Sequence, residues 1–240
     1  MAINVHSSSP PRFTGTPANG VDIWSEAFRP PANSVIVACV SADTNGDQDN
    51  ITISVSGGSL SWVSQVERDP GDVGAAAGHA SIWTAVQPAN DVMLVLVRRT
   101  AGNGSTGRIS CKVYVVTGAD VGGDPIGNVG EGSETTTNNI TPNAYTSSAD
   151  NSRGFGCATC WNELGVPTST DEEDAADYSA QIAVMSLHKA ADTPTSGSTV
   201  TMNFDAAGSG APNWNWVALE ILADPSPPTP GGYILLENGT

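Results

Sequence analysis

Apolar residues recur along this chain with period two, in short runs divided by Gly, Pro, Asn and Asp, which is the spacing of strands. Residues 34–41 (Ser-Val-Ile-Val-Ala-Cys-Val-Ser) are nearly continuous in apolar character and predict a strand. Ile51, Ile53 and Val55 alternate with Thr52 and Ser54, predicting a half-buried strand. Further strands are predicted at 60–66, 80–86, 92–97, 109–115, 153–161, 180–187, 199–204 and 216–222, about ten in all. The runs 92–97 and 109–115 read as a hairpin pair. The best helical candidate is 171–177, where Thr170 and Glu173 have capping-box spacing. It lacks an apolar face, so it predicts at most a turn or two in a solvated acidic loop. Strands without crossover helices imply an all-β chain folded as an antiparallel, jelly-roll-like β-sandwich. No repeat of fixed period is visible.

The ends differ from the middle. Residues 1–20 are rich in Ser, Pro, Gly and Asn and read as an extended N-terminal arm, leaving 21–223 for the sandwich. Residues 224–240 form a tail. Pro225, Pro227, Pro228 and Pro230 make a stiff polyproline spacer, and Gly231-Gly232 then lead into Tyr233, Ile234, Leu235 and Leu236. An apolar peptide on a stiff tether suits a groove or an exposed sheet edge, so these four residues are the candidate partner-binding residues.

Charge narrows the partners. Twenty-five acidic residues face nine basic ones among 240, giving a net charge of −16. Nucleic-acid binding needs a basic stripe to displace counterions from phosphate, and the densest basic window is Arg98-Arg99. Anionic membrane surfaces are disfavoured for the same reason. The longest apolar stretch, 92–97, is far short of the roughly 20 residues of a spanning helix. The first residues carry neither a basic nor an apolar signal region, which predicts synthesis in the cytoplasm without a secretory leader.

Candidate chemistry is sparse. Cys39 and Cys111 sit in apolar runs as small hydrophobes. Cys157 and Cys160 form a CxxC that alternates like a strand, with Phe155, Cys157 and Thr159 on one face and Gly156, Ala158 and Cys160 on the other. Residues 102–107 match GxGxxG, but a strand follows where a dinucleotide site needs a helix, so they predict a hairpin turn. Asp43, Asn45, Asp47 and Asp49 alternate as in calcium loops yet depart from the EF-hand pattern, and read as a solvated acidic loop. His6, His79 and His188 are scattered, and no GxSxG elbow is present. No catalytic residue, metal or cofactor is assigned. Trp214 and Trp216 share one side of an extended segment; exposed, they would stack on sugar rings, and buried, they fill a core.

Several segments, in order, resemble a β-sandwich type common among structural proteins of tailed bacteriophages. They are Phe-Arg-Pro-Pro-Ala-Asn-Ser-Val-Ile-Val (28–37), Ser-Gly-Gly-Ser-Leu-Ser-Trp (56–62), Ile-Trp-Thr-Ala-Val-Gln-Pro (82–88), Val-Tyr-Val-Val-Thr-Gly-Ala-Asp (113–120) and Trp-Asn-Trp-Val-Ala-Leu-Glu-Ile (214–221). Gly-Tyr-Ile-Leu-Leu-Glu-Asn-Gly (232–239) resembles the C-termini of minor tail and virion proteins. The resemblance implies a virion part without catalysis, either a minor capsid (decoration) protein or a minor tail protein. Its partners would be other virion proteins and copies of itself. The alternative is a carbohydrate-binding module using Trp214 and Trp216 on host-surface glycans.

Overall fold

The computed structural model describes residues 2–42, 51–69, 78–101, 107–134, 139–161, 171–177, 182–205 and 213–225. Among them are eighteen strands and no helix, and every strand pairing is antiparallel. The first main sheet runs β1 (Asn4–Val5), β9 (Ile109–Thr117), β4 (Ser34–Ala42), β7 (His79–Gln87), β6 (Val63–Arg68), with β2 (Phe13–Gly15) also on β9. The second runs β10 (Ile126–Glu134), β18 (Asn213–Ile221), β13 (Arg153–Trp161), β15 (Ile182–His188), β14 (Glu172–Asp177). They face each other across a core that includes Val35, Val37, Tyr114, Phe155, Leu219 and Ile221. The all-β sandwich expected from the pattern is the observed architecture.

Each main sheet is covered on its other face as well. A three-stranded outer sheet, β3 (Asp22–Trp24), β8 (Leu96–Ala101), β5 (Thr52–Ser56), lies over the first. Ile36, Ala38, Val40, Cys111 and Val113 pack under it against Val55, Val95 and Val97. Over the second sheet lie two short pairs, β11 (Asn139–Ile140) with β17 (Phe204–Asp205) and β12 (Asn143–Thr146) with β16 (Thr199–Thr201). This double cover explains the near-continuous apolar run of β4, buried at all nine positions, since its odd and even side chains enter different cores. The glycines of β10 and β13 have a spatial cause too. A Cβ at Gly130 would stand 1.7 Å from the Ala144 carbonyl oxygen, and one at Gly132 would stand 2.6 Å from the Trp216 ring. The covering layer approaches too closely for a side chain at Gly130, and the indole of the neighbouring strand β18 fills the space at Gly132.

The two main sheets are topological copies. Taken in chain order, the first sheet's strands β1, β4, β6, β7, β9 occupy the same sheet positions as β10, β13, β14, β15, β18 in the second. Both central strands start from an Asn with φ 59°, Asn33 and Asn151, followed by a fully buried Ser34 or Ser152. Both carry a buried cysteine six residues on, and the two meet between the sheets. The Sγ of Cys39 is 3.8 Å from the Gly156 carbonyl oxygen and that of Cys157 is 3.4 Å from the Val40 carbonyl oxygen. After the last strands Ala119 bridges Ala223, with Asp120 N donating to Leu222 O (3.0 Å) and Asp224 N donating to Gly118 O (2.8 Å). The chain therefore folds as two halves of the same topology that meet across its main core.

Three expectations change. The first residues are extended but not free: β1 and β2 pair with β9, and Lys112 Nζ donates to Pro10 O at 3.1 Å, so the sandwich begins at β1. The runs 92–97 and 109–115 do not form a hairpin, because β8 pairs with β3 and β5 while β9 pairs with β4. Residues 172–177 form an edge strand on β15 instead of a solvated turn. Four of its six residues are acidic, and charge on an edge strand blocks further pairing.

Candidate functional site

The outer three-stranded sheet carries the largest departure from ordinary surface. Its inward side chains, Ile53, Val55, Met93, Val95 and Val97, close the core beneath it. Alternation then turns Val92, Leu94, Leu96 and Arg98 outward, with Asp22 and Trp24 on β3 and Thr52, Ser54 and Ser56 on β5. Val92, Leu94 and Trp24 are 57%, 40% and 62% exposed. Trp24 is paired with Leu96 and Asp22 with Arg98, so the indole and the leucines form one apolar strip. Pairing continues past the strand ends, Ser25 N donating to Val95 O at 3.0 Å and Phe28 bridging Met93, which holds Val92 and Leu94 in line with the strip.

The strip has a polar rim. Arg98 donates from Nε and Nη2 to the two carboxylate oxygens of Asp22 at 2.7 and 2.8 Å. This pairing holds the Asp22 carboxyl below the usual carboxylate range. Ser54 and Ser56 lie opposite Arg98 and Leu96 across β8, and exposed Glu26 follows Trp24 by two residues. An exposed apolar strip with such a rim is the usual form of an interaction surface.

The residues singled out in the sequence fall elsewhere. Trp214 is fully buried and Trp216 is 9% exposed, within a cluster with Met202 and Phe204. The Phe204 ring stacks on Trp216 at 6.4 Å. They do share a face, but it is the face that fills a core, so they provide no sugar-stacking platform. Tyr233, Ile234, Leu235 and Leu236 lie outside the described residues, as do Asp43, Asn45, Asp47, Asp49 and Gly102–Thr106 of the glycine motif. Asp171, expected in a solvated loop, is buried; it accepts from Lys189 Nζ at 2.5 Å and from Asn203 N at 3.0 Å.

The titratable groups serve the fold. Cys39, Cys111 and Cys157 are free thiols, and burial pushes Cys39 and Cys111 well above the ordinary thiol range. The histidines stand apart. The His6 ring meets Ser8 Oγ at 2.8 Å, His79 meets Asp69 at 2.7 Å, and His188 packs edge-on to Tyr114 with centroids 5.4 Å apart. Glu220 is a fully buried carboxylate that accepts from Ser147 Oγ (2.7 Å), Ser148 Oγ (2.7 Å) and Asn128 N (2.9 Å). Burial alone would raise its pKa, but donors from Ser152, Ser148, Asn128 and Ser147 outweigh burial and hold it below the usual value. Among the described residues no three His, Cys, Asp or Glu side chains converge as metal ligands. Open depressions of about 520, 490 and 620 Å³ lie beside Asp150 and Asp192, beside Lys189 and Thr201, and between β6 and β10.

Sequence reasoning missed Trp24 as a surface residue, although a signal existed. In Asp22-Ile-Trp24 the isoleucine takes the inward position, which turns the indole out. The run 92–97 hid the strip because six apolar residues in a row read as burial on both faces.

No protein-family model, curated protein or solved structure matches this chain.

Proposed function

We propose that this protein is a non-enzymatic structural component of a tailed-phage virion, a minor capsid (decoration) or minor tail protein that acts by assembly. The observation that carries this reading is the apolar strip of Trp24, Val92 and Leu94, held on a rigid double-covered sandwich. A surface of that kind is built for a partner, and the surrounding low-lysine, strongly acidic chain is suited to remaining soluble until that partner is met. The ordered segments resembling phage structural proteins add support, since 28–37, 82–88, 113–120 and 214–221 lie on or beside β4, β7, β9 and β18. Synthesis in the host cytoplasm followed by residence in the virion accompanies this reading.

The test is removal of residues 226–240. The shortened protein should keep the thermal transition of the full chain and enter particles at reduced occupancy. Full occupancy would contradict assembly through the tail.

A further inference from the structure

Two apolar features of this chain bear on how it meets a partner. One is the outward strip of Val92, Leu94, Leu96 and Trp24 on the outer sheet. The other is Tyr233-Ile-Leu-Leu236, carried beyond the proline spacer. We infer that the strip is the docking surface for the Tyr233–Leu236 segment of a second copy of this chain. The inference rests on the assembly reading above and names the surface that receives the tail.

Spacing supports the fit. Along β8 the outward side chains repeat every second residue, about 6.7 Å apart at strand rise. An extended Tyr-Ile-Leu-Leu presents Tyr233 and Leu235 at the same interval, so its alternate side chains match the row of Leu94 and Leu96. Recognition of extended peptides commonly uses such period-two contacts. The indole of Trp24 beside the row provides a wide, rigid contact at small entropic cost, the residue type most enriched among energetic anchors of interfaces. The tail contains no Lys or Arg and its charged side chains are Asp224 and Glu237, so Tyr233–Leu236 bring no charge onto the strip.

Direction points to a neighbour over the tail's own body. Pro225 is exposed and lies beside Ala2, Ala149, Asn151 and Asp192, and Asp224 N donates to Gly118 O, so the tail leaves where the ends of the two main sheets meet. The strip lies on the opposite side of the first main sheet. Reaching it within one molecule requires the chain to turn back over the end of the first main sheet. Prolines at 225, 227, 228 and 230 instead favour an extended spacer of about 19 Å, at roughly 3.1 Å per residue. A stiff spacer disfavours that turn, and so favours a neighbour's strip over the tail's own.

The experiment is sedimentation equilibrium on the full chain and on three variants, Trp24→Ala with Leu94→Ser, Ile234→Ser with Leu235→Ser, and all four changes together. Hydrogen exchange over 22–24 and 92–96 is measured on the same samples. The full chain should self-associate, and each double variant should weaken association roughly tenfold or more while keeping the wild-type circular dichroism and melting transition. The combined variant should be little weaker than either double variant, because both remove one contact. Exchange protection over the strip should rise with protein concentration in the full chain and not in the tail variant.

A chain that is monomeric at all concentrations overturns the inference, and if its strip is protected until the tail is changed, the occupant is its own tail. Self-association that depends on the tail but ignores the strip variants also overturns it, as does a strip that binds oligosaccharides and not the tail. Particle incorporation is read separately. Loss of self-association in both variants with the protein absent from particles would keep the docking and remove the virion reading. Incorporation with self-association indifferent to the strip would do the reverse.

Discussion

Glu220 shows how single residues hold this fold together. Its carboxylate gathers donors from β10, from the segment after β12 and from the start of β13, tying three neighbouring pieces to β18. Because its folded pKa is depressed, its stabilisation is fully present above the unfolded value near 4.3 and is lost as pH falls through the folded pKa. Glu220→Gln should therefore lower unfolding free energy at pH 7 by roughly 1.5–3 kcal/mol. The gap from wild type should narrow below pH 4. Chemical denaturation at pH 7 and pH 3 checks both statements, and an equal gap at the two pH values would contradict them. This role was not legible in the sequence, where Trp-Val-Ala-Leu-Glu-Ile reads as a strand with one outward charge. The serines that satisfy the carboxylate, Ser147, Ser148 and Ser152, are about seventy residues away and carry no pattern of their own.

At the scale of elements, the sequence shows strands well and their partners poorly. The runs 34–41, 109–115 and 153–161 became β4, β9 and β13 because alternation and apolar character are local properties. The β8 and β9 runs looked like a hairpin because neighbours in sequence usually pair. Here the chain changes layers between them. The duplication was hidden for a related reason. Equivalent residues are further apart at Asn33 and Asn151 than at Ala119 and Ala223, so no fixed period exists to find. The side chains also diverge, since β13 needs Gly154 and Gly156 under a close covering layer where β4 has Ile36 and Ala38. One consequence can be measured. Each half contributes one whole main sheet and half of the core between them. Cutting the chain in the exposed Gly122-Gly123 turn should give two fragments that are insoluble alone and co-purify as a folded complex when expressed together. Independent folding of either fragment, seen as its own cooperative melt, would contradict the shared core.

At the scale of the whole molecule, the described residues of this acidic chain form a stack of four β layers with an apolar strip on one outer sheet. The all-β class and the burial of Cys39, Cys111 and Phe155 could be read from residue patterns, since each depends on local alternation. The strip could not. It depends on which strands form the outer layer, and that is fixed by long-range pairing of β3 with β8. Trp214 and Trp216 illustrate the same limit: two indoles on one face are equally compatible with a sugar platform and a core until the covering layer of β16 and β17 is placed. The central claim, that this chain is a part of a phage particle, is tested most directly by counting it there. Quantitative mass spectrometry of purified particles from the source that encodes the chain should find it at a fixed number of copies relative to the major capsid protein. Its absence from intact particles would contradict the account.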